Sequence, residues 1–182
     1  MLQIKMIFRY LKYVLSHKYY VFLAGRKIGV SLWQLAVHDL SKFGRHEFMQ
    51  YARKYSYPAV GGVWPSRGLI ASYVGHTQES VDEAFNYAWL NHANKNPHHW
   101  QYWIVCENGG DSKVLDMPKK YAREMVADWM GAGRAITGSW DMTDWLHQNL
   151  YKVVVSKNTL LFIESILSDL GYNTEDTAPY LC

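Results

Sequence analysis

Cysteine is almost absent from the sequence. Only Cys106 and Cys182 occur among the 182 residues, and neither belongs to a CxxC pair. Disulfide-stabilised domains and zinc knuckles both need several closely spaced cysteines, so the composition argues against both. The expected location is therefore a reducing compartment, the cytoplasm.

Long apolar runs are also missing. The N-terminal segment is rich in apolar residues, but Lys5, Arg9, Lys12 and Lys18 interrupt it. No run approaches the roughly 18 residues that a membrane-spanning helix needs. We expect a buried helix of a soluble protein here and no membrane partner; the alternative is a helix lying in a membrane interface.

Charge of one sign is not concentrated anywhere in the chain. The formal net charge is +3, from 19 Lys and Arg against 16 Asp and Glu. Because the cations are scattered among the anions, we expect no binding of a long nucleic acid. A small anionic ligand fits this composition better, and the oligomeric state is left open.

Helical periodicity dominates the sequence. Together with an apolar share of 49%, it predicts an all-α fold and a compact single domain over residues 1–182. The predicted helices cover about 4–23, 31–39, 45–54, 80–95, 118–129, 143–154 and 158–170.

Several residues are expected to begin or end these helices. Ser31 with Gln34, and Ser80 with Glu83, have the spacing of a capping box. Asn96-Pro97 should stop one helix, and Gly131 with Gly133 should end another. Glycine and proline are also frequent at about 55–78, which predicts a long loop or lid. The short segment 100–105 suits a strand or a helix equally well.

Histidines and aspartates recur beside the apolar faces of the predicted helices. Taken singly, a buried histidine is more often a core residue bonded to a carbonyl, and a buried aspartate often caps a helix. Taken together, their repeated position beside apolar faces would be explained by a shared metal site. The candidate ligands are His17, His38, Asp39, His92, His98, His99 and Asp128.

The type of metal follows from the donor atoms. Imidazole mixed with carboxylate suits Mn, Fe, Co, Ni or Zn. Since no cysteine belongs to the set, a catalytic site with open positions for water is favoured over a structural zinc site. Adjacent residues such as His38 and Asp39 can share one ion only where the backbone leaves helical geometry or the ion bridges their edges.

The order of these residues resembles a known signature. His17, then His38-Asp39, then Asp128 is similar to the H…HD…D pattern of the HD superfamily of helical, metal-dependent phosphohydrolases. His38-Asp39-Leu40-Ser41-Lys42 resembles the HD-x-x-K element of its HD-GYP branch, although the GYP element is absent. The segments HDLSKF, NPHHW and EMVADWMGAGRA also resemble an uncharacterised family common in phages and bacteria.

The resemblance implies an HD-like helical bundle that hydrolyses a nucleotide or small phosphate ester through a metal-activated water. It implies that Asp39 and Lys42 are catalytic and that Lys42 contacts a phosphate oxygen, with a second contact from Arg123 or Arg134. The alternative for each of these three cations is an ordinary solvated charge on a helix.

The remaining histidines and a tryptophan have two interpretations each. His92, His98 and His99 are similar to the extra histidines that bind a second ion in some HD enzymes, so one or two ions are expected; the doublet could instead line the pocket. Trp100 could stack a nucleobase or serve in packing. The alternative function is a non-catalytic phage accessory protein with a degenerate HD fold, which sequesters a nucleotide or binds a host protein.

Overall fold

The computed structural model describes residues 2–56 and 77–173. The fold is mainly α-helical, with 71% of the described residues in helices, which confirms the predicted fold class. The described helices are α1 (Leu2–Lys27), α2 (Leu32–Val37), α3 (Phe48–Ser56), α4 (Gln78–Lys95), α5 (Lys119–Thr137), α6 (Thr143–Asn149) and α7 (Lys157–Asp169).

Short elements connect several of these helices. In the part of the chain that the structure describes, 3-10 helices cover Leu40–Phe43, Trp100–Trp103 and Leu150–Lys152. Strands β1 (Ile104–Cys106) and β2 (Ser112–Val114) pair antiparallel, with Ile104 opposite Val114. The segment 100–105 thus contains a 3-10 turn and then a strand, since its chain continues into a hairpin.

Local capping signals place several helix ends correctly. The Ser31 hydroxyl accepts a hydrogen bond from the Gln34 amide at 3.2 Å, as the capping-box spacing predicts. Helix α4 ends at Lys95, directly before Asn96-Pro97. Gly171, with φ of 88°, follows the end of α7 in the left-handed conformation that glycine adopts readily.

Two predicted helix ends are wrong. Gly131 and Gly133 lie inside α5, which continues to Thr137 and is closed by Gly138 with φ of 77°. Helix α4 begins before Ser80: the Thr77 hydroxyl accepts from the Ser80 amide at 3.2 Å, and the Ser80 hydroxyl accepts from the Thr77 amide at 3.1 Å. The predicted loop at 55–78 lies almost wholly outside the described residues.

The backbone contacts divide the chain into two compact units. The first comprises Met1–Ser16 and Asp39–Lys95, and the second comprises His17–His38 and Asn96–Cys182. Whether the chain behaves as the predicted single domain stays a prediction.

The core of the first unit is built from regularly spaced residues of three helices. Met6, Tyr10 and Val14 follow one another at four-residue intervals on α1 and are buried. They belong to one apolar cluster with Tyr51 of α3 and Ala88 of α4. One stripe of each helix is therefore removed from water, as amphipathic helices require.

The core of the second unit is larger and contains Val21, Met125 and Ile163, from α1, α5 and α7. Gly131 of α5 allows a close approach to α1, because a Cβ atom at this position would lie 2.6 Å from the Val21 nitrogen. Within the described residues, no helix has the length and hydropathy that a transmembrane span requires.

Candidate metal centre

The His38-Asp39 pair lies where the backbone leaves α2. His38 has extended ψ of 127°, and Asp39 adopts the left-handed conformation with φ of 56°. Among the described residues, Asp39 is the only one other than glycine with positive φ. Such a conformation is sparsely populated and is often found at functional sites. The expected departure from helical geometry is thus present at both residues.

Three of the predicted ligands meet inside the second unit. His17 lies on α1, His38 follows α2 and Asp128 lies on α5. Each offers one donor atom, and the three atoms lie within 4.8 Å of one another. The Oδ1 atom of Asp128 is 3.0 Å from His17 Nε2 and 3.4 Å from His38 Nε2.

These separations fit a common metal ion. With metal–ligand bonds of about 2.1 Å, two ligands of one ion lie about 3.0 Å apart in an octahedron and about 3.4 Å apart in a tetrahedron. The side chains of His17 and His38 are 1% exposed, whereas that of Asp128 is 12% exposed. The two histidines are therefore buried, whereas the carboxylate of Asp128 is partly accessible to solvent.

Glu124 is a site residue that the sequence analysis missed. Its Oε1 atom lies 3.0 Å from His38 Nδ1, within hydrogen-bond distance, and its Oε2 atom accepts from Gln34 Nε2 at 2.9 Å. Glu124 precedes Asp128 by one turn of α5, so both carboxylates lie on one helix face. That spacing is the signal that could have identified it.

Lys18 supports the same region from α1. Its ammonium group donates to the carbonyl oxygen of His38, and the carbonyl oxygen of Ala36 lies 3.5 Å away. A cation stabilises the exposed carbonyl groups at the end of a helix. Lys18 therefore holds the turn from which the His38 side chain projects.

The first unit contains a buried polar network. Asp39 Oδ1 is 3.3 Å from His92 Nε2, and Asp39 Oδ2 is 2.5 Å from the Lys42 ammonium group. On the other side of the imidazole ring, Glu47 Oε2 is 2.8 Å from His92 Nδ1. His92 thus lies between two carboxylates and is fully buried.

The network shifts the pKa values of Glu47 and His92 in opposite directions. Burial raises the pKa of Glu47, but hydrogen bonds with His92, Ser41 and Asn91 and the charge of His92 together hold it below its usual range. Burial lowers the pKa of His92, but its hydrogen bonds to Asp39 and Glu47 and the charge of Asp39 raise it overall. Both directions favour a charged pair.

His98 and His99 are both buried in the second unit. His98 Nδ1 is 3.4 Å from Glu124 Oε1, and the His98 ring centroid is 4.5 Å from that of His38. His38, His98 and Glu124 also offer three donor atoms within 4.8 Å of one another. His99 lies against His98, with 4.2 Å between their ring centroids.

The residues predicted to contact substrate, Trp100, Arg123 and Arg134, lie against core or aromatic residues. Trp100 is partly buried and packs against the core of the second unit. The Arg123 guanidinium lies 4.9 Å from the centroid of Phe162, and that of Arg134 lies 5.6 Å from the centroid of Tyr20. At about 100° per residue, both arginines project roughly 120–140° away from Asp128 around α5. Their roles as phosphate contacts, and that of Trp100 in stacking, stay predictions.

One comparison with known proteins identifies a family. A family model described as "Family of unknown function (DUF5662)" matches residues 6–169. No curated protein and no solved structure matches the chain.

Proposed function

The chain belongs to the DUF5662 family, and we propose that it is a metal-dependent phosphohydrolase of the HD type acting on a nucleotide or small phosphate ester. The observation that carries the proposal is the set formed by His17, His38 and Asp128, which come from three separate segments of the chain and offer three donor atoms within 4.8 Å of one another.

The donor set favours a catalytic ion over a structural one. Two imidazoles and one carboxylate, without a thiolate, are typical of catalytic zinc and other transition-metal sites that keep positions open for water. When bound, such an ion supplies Lewis-acid catalysis and an activated water for attack on phosphorus. The side chain of Asp128 is partly exposed, so in this proposal the substrate reaches the ion from the side of Asp128.

The protein residues supply binding and orientation. His17, His38 and Asp128 hold the ion, and Glu124 and Lys18 hold the His38 side chain and backbone. Asp39, which the HD resemblance makes a ligand, forms an ion pair with the adjacent Lys42 ammonium group at 2.5 Å.

Other parts of the proposal rest on the sequence. His92, His98 and His99 stay candidates for a second ion. We place the protein in the reducing cytoplasm, since two cysteines do not form a disulfide scaffold. Its partner is a small phosphorylated molecule, and neither a long nucleic acid nor a membrane is involved.

Metal analysis followed by a substrate screen tests the proposal. Purified protein should contain about one or two ions of Mn, Fe, Co, Ni or Zn per chain, as expected for a mixed nitrogen and oxygen donor set. Each reconstituted form is then assayed with nucleotides and simple phosphate esters for phosphate release. Asp128→Asn should lose metal and activity, whereas Asp169→Asn, at an exposed position of the same unit, should keep both.

The outcomes separate the two candidate functions. Protein that takes up no metal on reconstitution refutes the enzyme proposal. Protein that binds a nucleotide tightly but releases no phosphate with any of the five metals supports the non-catalytic accessory protein instead.

A further inference from the structure

Glu124 lies next to the proposed ligands and is buried, whereas most glutamates lie at the protein surface. Its residue exposure is 5%, and its Oε1 atom faces two imidazole nitrogens, His38 Nδ1 at 3.0 Å and His98 Nδ1 at 3.4 Å. A buried carboxylate is costly unless its oxygens are bonded. Both oxygens of Glu124 have such partners, because Gln34 Nε2 donates to the second one.

We propose that Glu124 is a positioning residue that fixes the tautomer and the ring orientation of His38, and through His38 the geometry of the metal site. This inference rests on the proposed function for the metal itself. Glu124 is not part of the HD signature, and its proposed role depends on one hydrogen bond, the one to His38 Nδ1.

The two nitrogens of the His38 ring have different roles. A neutral imidazole carries a proton on one nitrogen and a lone pair on the other. An ionised carboxylate only accepts hydrogen bonds, so the Nδ1 atom of His38 is the protonated one. The lone pair then lies on Nε2, which is the atom 3.4 Å from Asp128 Oδ1. A ligand histidine oriented by a carboxylate on its other nitrogen is a recurring arrangement at metal sites.

A second ion between His38, His98 and Glu124 is incompatible with this tautomer of His38. An ion there would take the lone pair of His38 Nδ1 and leave the proton on Nε2, facing Asp128. One neutral ring therefore cannot serve both donor sets. The cluster around Glu124 acts as support for the cluster around Asp128.

The test uses two variants and one control. Glu124→Ala removes the acceptor. Glu124→Gln keeps an acceptor oxygen for His38 but places an amide nitrogen against Gln34 Nε2, so it should rescue part of the effect. Asp169→Asn, which removes an exposed carboxylate in the same unit, controls for the loss of one negative charge.

Two readouts are measured on the full chain. In metal-free protein, nitrogen-15 NMR of the histidine rings reports which nitrogen of His38 is protonated. In titrations with Co²⁺, the dissociation constant and the visible spectrum of the cobalt complex report the site. We expect an Nδ1–H tautomer in the wild type and in Asp169→Asn, and its loss in Glu124→Ala. Cobalt affinity should fall about 10- to 100-fold in Glu124→Ala and less in Glu124→Gln.

The results distinguish this inference from the proposed function. A wild type that binds no cobalt, but whose His38 tautomer depends on Glu124, refutes the metal proposal and leaves the positioning role supported. Unchanged tautomer and cobalt affinity within threefold in folded Glu124→Ala overturn the positioning role. If Glu124→Ala does not fold, Glu124→Met, which also lacks the acceptor but fills the side-chain volume, replaces it under the same two criteria.

Discussion

Gly131 gives a direct way to perturb the candidate site without changing any ligand. It lies one turn after Asp128 on α5, and Val21 lies one turn after His17 on α1. A Cβ atom at position 131 would lie 2.6 Å from the Val21 nitrogen and 2.8 Å from its Cα atom. Both are backbone atoms, so no side-chain rotation relieves the overlap in Gly131→Ala.

The expected displacement follows from these distances. Ordinary contact begins at 3.4 Å, so the two helices must part by 3.4 − 2.6 = 0.8 Å. The separation of His17 Nε2 and Asp128 Oδ1 would rise from 3.0 Å by up to that amount. It would then exceed the edge of about 3.4 Å that a tetrahedral ion with bonds of about 2.1 Å can span without strain.

Two effects of opposite sign decide the stability. Alanine gains about 0.5–1 kcal/mol over glycine inside a helix, whereas overpacking costs about 1–3 kcal/mol. Since the opposing atoms belong to backbone, we expect the overpacking cost to dominate, with a net loss of about 1–2 kcal/mol in the free energy of unfolding. Cobalt affinity should fall by about tenfold or more, because productive sites tolerate displacements of only about 0.5 Å.

Gly133→Ala is the matched control on the same helix. Nothing lies within 4 Å of a Cβ atom at position 133, so this variant should gain about 0.5–1 kcal/mol and keep its cobalt affinity. Urea unfolding of metal-free protein and cobalt titration measure both quantities. If Gly131→Ala behaves like Gly133→Ala in both assays, the close helix contact does not set the site geometry and the reasoning is refuted.

Three further predictions concern charge and metal. In metal-free protein, Glu47→Gln should be less stable than the wild type by about 3 kcal/mol, because it breaks a buried pair. The pKa of His92 is raised, so its contribution to the free energy of unfolding is complete below pH 6.5 and is lost as the pH rises through its folded-state pKa. The pKa of Glu47 is lowered, so its contribution is complete above pH 4.5 and is lost as the pH falls through its folded-state pKa. The stability difference, measured by urea unfolding from pH 3 to 9, should therefore be largest between 4.5 and 6.5, and a pH-independent difference would contradict the pair. Asp39→Ala should abolish phosphate release, whereas Lys42→Ala should slow it by about one or two orders of magnitude and keep its metal, as expected for a charged donor worth about 1.5–3 kcal/mol; full activity of Asp39→Ala, or equal metal loss in both, would refute these roles. Removing the metal with a chelator should lower the melting temperature, since free ion at 100 times its dissociation constant adds about 2.7 kcal/mol, and an unchanged melting temperature would argue against a native-state metal site.

Several features of this protein could be determined from its sequence alone, because they depend on residues close together in the chain. Helical periodicity predicted the fold class, and Ser31 with Gln34 located the start of α2. Asn96-Pro97 located the end of α4, since proline cannot continue a helix. The spacing of Val81, Phe85, Ala88 and His92 also predicted one apolar stripe on α4; Val81, Ala88 and His92 are buried, whereas Phe85 is partly buried.

Other features were decided only by the tertiary structure. Glycine ends helices, but it also lets two helices approach closely, and the sequence around Gly131 does not separate these uses. The contact between Gly131 and Val21 in the tertiary structure shows that this glycine allows a close approach of two helices. Glu124 lies 86 positions from His38, and Glu47 lies 45 positions from His92. A hydrogen bond across such a distance depends on how helices pack, and local patterns carry no record of it. The sequence therefore identified candidate ligands, whereas the carboxylates that orient the histidines emerged only from the packed helices.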